Sequence, residues 1–159
     1  MCSRVGLIAT LAGLAVGLDA AVAAAGEVKL PSGIVIVEKV VNKPYAATVA
    51  RVEAAVKGAN LIIVGEPNYQ MMQRMVGREI KGAKAYFIFR PNLGIPIFEK
   101  DVNAALEIPL KVLIYDKGGN QTVIRYRKPS NALADYNGLD TLGMQLDDIL
   151  DKITDAAAK

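Results

Sequence analysis

The stretch Glu107-Ile108-Pro109-Leu110-Lys111-Val112-Leu113-Ile114-Tyr115, Asp116-Lys117-Gly118-Gly119-Asn120, Gln121 to Tyr126 and Arg127-Lys128-Pro129-Ser130 decides the fold. Two aliphatic and β-branched runs flank a loop whose Gly-Gly-Asn suits a hairpin turn. A hairpin makes at least part of the sheet antiparallel. Pro109 opens the first strand, where a missing N–H does no harm, and Pro129 ends the second. Period-two spacing sets Arg125 and Arg127 on one face of their strand and Ile124 and Tyr126 on the other.

Upstream of the hairpin, Ile34 to Val41 is rich in β-branched residues and reads as a strand. Asn42-Lys43-Pro44 starts a helix carrying Tyr45, Val49, Val52 and Val56 at helical spacing, and Gly58 ends it. Leu61 to Val64 reads as a short strand, and Tyr69 to Ile80 as a second helix weakened at Gly77 by about 1 kcal/mol relative to alanine. Ala83 to Phe89 reads as a well-buried strand, Pro91 to Pro96 as a turn, and Ile97 to Leu106 as containing a short helix. Downstream, Leu139, Leu142, Leu146, Ile149, Leu150 and Ile153 form the apolar stripe of an amphipathic helix. This order predicts a two-layer α+β sandwich with a mostly antiparallel sheet and helices on one face.

The 159 residues are 52% hydrophobic, and much of that excess sits at the front. Arg4 precedes an apolar run from Val5 to Leu18, and Ala20 to Ala25 offers small residues for cleavage after Ala23 or Ala25. That is the pattern of a secretory signal, so residues 1–25 are expected to be a leader and residues 26–159 one domain. The apolar run is short for a membrane span, and none is expected after cleavage. The expected location is periplasmic or secreted. Cleavage would remove Cys2, the only cysteine, and leave no disulfide, thiol nucleophile or thiolate ligand. A net charge of +3, spread over scattered basic residues, does not point to nucleic acid.

Catalytic constellations are scarce. The chain has no histidine, which rules out Ser-His and Cys-His pairs and histidine metal sites. No phosphate-binding glycine motif follows a predicted strand. Asp147 and Asp151 share a helix face at i, i+4, and a solvated face opposite the leucine stripe is the simplest reading of them. Met71, Met72 and Met75 are the best ligand candidates, with Met71 and Met75 one turn apart. Thioethers suit Cu(I), and they can also be axial haem ligands, although no haem-attachment motif is present. Flexible methionines fill core gaps or line apolar pockets equally well. Tyr69, Arg90 and Tyr126 complete the candidate ligand-binding set, and the arginines near the hairpin could hold an anion.

The segment Ala104 to Tyr115 resembles a strand of the family of domain of unknown function 302. Tyr126 to Ser130, Ala134-Asp135-Tyr136 and Leu146 to Leu150 are similar to the closing part of that family's exported members. The resemblance runs from about Ser32 to Ala156. It implies a compact fold of the TATA-binding-protein-like class, often packed as a dimer, and no established activity. Leu93, Gly94, Pro96, Pro109, Tyr126, Pro129 and Ser130 carry over as fold-makers. Many members have a histidine before the Phe-rich strand and another after the Pro-Ser turn; here those places read Gly65-Glu66-Pro67-Asn68-Tyr69 and Asp135-Tyr136. Arg90-Pro91-Asn92 stands where the family has a Gly-Asn-Pro turn.

Together these readings predict an exported, non-enzymatic binding or assembly module, a homodimer or a partner of a larger periplasmic protein. The alternative is a small-ligand, Cu(I) or haem carrier with a methionine-lined pocket.

Overall fold

The computed structural model describes residues 22–159. The expected leader lies outside the described residues as far as residue 21. The chain runs β1 (Val22–Lys29), β2 (Val35–Val41), α1 (Tyr45–Gly58), β3 (Ile62–Gly65), α2 (Tyr69–Arg74), β4 (Ala83–Phe89) and α3 (Pro91–Lys100). A 3-10 turn (Val102–Glu107) leads into β5 (Leu110–Gly118), β6 (Gln121–Arg127), α4 (Pro129–Leu133) and α5 (Asp140–Ala158). The strands form one antiparallel sheet in the order β1-β2-β6-β5-β4-β3. The expected architecture is the observed one. No described helix is long and apolar enough to cross a membrane.

The β5–β6 hairpin forms as its sequence predicts, with Gly118, Gly119 and Asn120 all at positive φ. Tyr126 faces the helices, where α5 covers it. The leucine stripe of α5 is buried at Leu142, Leu146, Leu150 and Ile153, and it meets Val52 and Val56 of α1 over Val41, Tyr86, Ile88, Ile114 and Ile124. Ile97 of α3, Ala104 of the 3-10 turn and Leu133 of α4 enter the same cluster. α1, α3, α4 and α5 therefore share one side of the sheet.

Four local readings change. Val22–Lys29, which overlaps the expected leader exit Ala20–Ala25, forms an edge strand that pairs with β2 across both expected cleavage points. α2 stops at Arg74 because Gly77, at φ 74°, closes it: Arg78 N–H donates to Gln73 and Gly77 N–H to Arg74. Pro91 to Pro96 is helical rather than a turn. Pro91 occupies the first helical position, where it lacks only a surplus N–H, and Pro96 leaves unbonded the carbonyl of Asn92, an exposed residue. Pro129 both ends β6 and starts α4, a helix the sequence reading did not anticipate.

The carboxylates Asp151 and Asp155 of α5 are more than half exposed, as a solvated face requires, yet they and Asp147 are also paired. Asp147 accepts from Ser130 N (2.9 Å) and Ser130 Oγ (2.5 Å), which ties α4 to α5. Asp151 accepts from Lys39 Nζ (3.1 Å) and Tyr126 Oη (2.6 Å), and Asp155 from Lys39 Nζ (2.7 Å). These acids are spaced by one helical turn, so they form a polar rail beside the leucine stripe.

Where α4 crosses α5, a Cβ on Gly143 would sit 2.8 Å from the Ser130 Cα. Alanine in place of a helical glycine normally stabilises by about 1 kcal/mol. Here the backbone contact reverses the sign. Gly143→Ala is expected to lower unfolding stability in urea by about 1–3 kcal/mol, the usual cost of overpacking; an increase would contradict this packing.

Candidate binding face of the sheet

Strand alternation divides the side chains cleanly. Val37, Lys39 and Val41 of β2, Val112 and Ile114 of β5, and Tyr86 and Ile88 of β4 point into the helical layer. Their neighbours face the other way, where Gly94 of α3 packs close to the Phe89 ring. Val40, Val123 and Ala85 form a buried floor there, while Phe87, Phe89, Leu113 and Tyr115 are half-buried. At the β3 edge, Ile62 and Val64 are each 53% exposed. A sheet face this apolar is not an ordinary solvated surface.

Charges on this face are largely paired among themselves. Arg125 Nε lies 3.1 Å from Glu38, and Arg127 Nη1 donates to Glu107 at 2.9 Å. The ammonium of Lys111 sits 5.2 Å from the centre of the Phe87 ring. Where β2, β5 and β6 meet the 3-10 turn, the face deepens into a groove of about 560 Å³. Ile36, Ile108 and Leu113 line it beside Lys111, Arg125 and Arg127, and Leu133 and Leu146 lie at its inner end.

The six candidate ligand residues are not gathered here. Met71, Met72 and Met75 are 61%, 51% and 81% exposed on α2 and its C-cap; they neither fill the core nor line this groove or the one beside β3. Among the described residues, the three methionines therefore stand at the surface outside both grooves. A six-residue helix too short to bury a face explains this. Tyr69 begins that helix, half-buried. Arg90 caps α3 beyond the opposite end of β4, about 20 Å away along a seven-residue strand. Its Nε is buried without a hydrogen-bond partner among the described residues. Tyr126 alone of the six lines the groove, from the helix side, with its hydroxyl committed to Asp151. Arg125 and Arg127 do share a face, as their spacing predicts, yet each already holds a glutamate.

Sequence reasoning missed Lys111, Leu113 and Ile36. The signal was available in alternation: once Leu110, Val112 and Ile114 face the core, Leu113 and Tyr115 are apolar residues on a side expected to be polar. The same applies to Phe87 and Phe89 in β4.

Polar groups on the helical side are engaged in structure. Burial, the Glu53 hydrogen bond and its charge push the Tyr86 hydroxyl far above the usual tyrosine range. Burial and the bond to Asp151 do the same to Tyr126. Burial pushes the Asp151 carboxyl up, but the hydrogen bonds from Tyr126 and Lys39 and the nearby positive charge outweigh it and hold the group below its ordinary 3.8. No described group of three or more acidic, histidine or cysteine side chains is arranged to hold a metal ion.

A family model described as domain of unknown function DUF302 matches residues 37–159. The crystal structure of an uncharacterized conserved DUF302 protein from Bacillus stearothermophilus is similar, with a TM-score of 0.70 at 14% identity. The alignment spans 77% of this chain and 97% of that one, and identity this low shows a shared fold alone. No curated protein matches the chain.

The depressed Asp151 carboxyl gives stability a definite pH dependence. Its contribution is present above the unfolded-state value near 4 and is lost as pH falls through the lower folded value. Asp151→Asn is expected to be less stable than wild type at pH 6 by about 1–2 kcal/mol, allowing for the carboxylate's exposure. Urea midpoints of the two proteins should converge as pH falls below about 4. A difference unchanged from pH 6 to pH 2 would contradict this linkage.

Proposed function

The chain belongs to the family of domain of unknown function DUF302, and on that footing we propose that it is a non-catalytic binding module that pairs with a second copy through the open face of its sheet. The observation that carries this reading is the apolar side of a six-stranded sheet opposite the core helices, with Ile62 and Val64 each 53% exposed and Phe87 and Phe89 half-buried on it. Burial of such a face is driven by the hydrophobic effect at about 25 cal/mol per Å². The charge pattern favours an identical partner. A two-fold contact sets a surface against itself, and pairing Arg125 with Glu38 and Arg127 with Glu107 leaves little like-charge repulsion to overcome.

Catalysis fits the geometry poorly. The strongly shifted hydroxyls, Tyr86 and Tyr126, are closed under helices and bonded to Glu53 and Asp151. The apolar run before Asp19 and the Ala-x-Ala exit support a periplasmic or secreted protein. Cleavage after Ala25 would leave Gly26–Lys29 to pair with β2.

Light scattering on the eluting protein tests the pairing. Wild type is expected at twice the chain mass, and Ile62→Lys/Val64→Lys, whose side chains are exposed in the single chain, at the chain mass. A wild type that stays monomeric at every concentration would contradict the proposal.

A further inference from the structure

The groove at the end of the open face carries a charge imbalance that the rest of the face lacks. Continuing the register that pairs Val112 with Tyr126 by one step sets Lys111 opposite Arg127. Like charges directly across a ladder repel, so this arrangement favours an anion between them. Glu38 and Glu107 are the only carboxylates within ion-pair reach of the groove's cations among the described residues, and they hold Arg125 and Arg127. Lys111 is left with the Phe87 ring. Each arginine meets its glutamate through one nitrogen, and its remaining N–H donors have no described acceptor.

Three cations against two carboxylates leave one positive charge at the mouth of an apolar groove. Ile36, Ile108 and Leu113 line its length, and its volume of about 560 Å³ lies within the range of small-molecule sites. We propose that this groove binds a single-chain amphipathic monocarboxylate, a ligand of the fatty-acid class. The alkyl chain lies along Ile36, Ile108 and Leu113, and the carboxylate sits between Lys111 and Arg127. One negative charge matches the imbalance. A neutral alcohol leaves the surplus positive charge unmatched, and a cationic amphiphile adds to it. The proposal does not depend on self-association.

Calorimetric titration of the full chain with hexanoate, octanoate and decanoate, and with decanol as the neutral control, tests it. Saturable one-to-one binding is expected, at least about ten-fold tighter for decanoate than octanoate because two more methylenes are buried. Lys111→Met, a change at an exposed position, should weaken decanoate about ten-fold and leave decanol unchanged. Failure of decanoate to saturate the protein, equal binding of decanol and decanoate, or an unaltered Lys111→Met would each overturn the assignment. Repeating the titration on Ile62→Lys/Val64→Lys separates the two readings. Retained decanoate binding in a chain that never self-associates would overturn only the pairing. Absent binding in a wild type that does self-associate would overturn only the ligand.

Discussion

Lys39 is the constraint on which the rest of the molecule depends. Its side chain is 7% exposed and projects from β2 toward α5, a direction in which an unpaired ammonium would be strongly unfavourable. Asp151 and Asp155, one turn apart on α5, meet it together, and Tyr126 shares Asp151. The leucine stripe alone would let α5 slide or rotate over an apolar surface with modest penalty. The carboxylate rail removes that freedom, because only one register satisfies Lys39, Tyr126 and Ser130 at once. Specification of a unique arrangement is the best-attested use of partly buried charge, and this network has that form.

Fixing the helical layer decides what the opposite side of the sheet is free to do. α1, α5, α4 and the buried residues of α3 all contribute to one cluster, on the side of the sheet away from Phe87, Leu113 and Tyr115. The titratable groups that burial perturbs most lie under the helices and are satisfied there. The open side instead offers apolar area, two neutralised arginines and one lysine beside a groove. Both the pairing and the carboxylate-ligand proposal draw on this division of labour between the two faces.

Much of the architecture was legible in local pattern. The Gly-Gly-Asn loop between two apolar runs and the stripe from Leu139 to Ile153 each impose a short-range geometry with few alternatives. The rail was not legible. Helical spacing places Asp147 and Asp151 on one side, but their partners are 17 to 112 positions away, and nothing local distinguishes an acid facing water from one facing a distant lysine. β1 went unread because an alanine-rich segment suits a leader's exit as well as an edge strand. The Pro91–Pro96 helix was hidden by two prolines that are tolerable only because both lie near its start. For the candidate site, the arginine face followed from period two, whereas the groove did not: it is assembled from β2, β5, β6 and the 3-10 turn, and only tertiary placement brings them together. The methionines misled because their soft chemistry is visible in sequence and their exposure is not.

A double-mutant cycle in urea between Lys39→Met and Asp155→Asn tests the central claim most directly. If the Lys39 ammonium and the α5 rail hold the helical layer as described, the two substitutions are coupled by at least about 0.5 kcal/mol at neutral pH. Effects that simply add, within about 0.3 kcal/mol, would mean that apolar packing alone seats α5 and that this contact does not organise the fold.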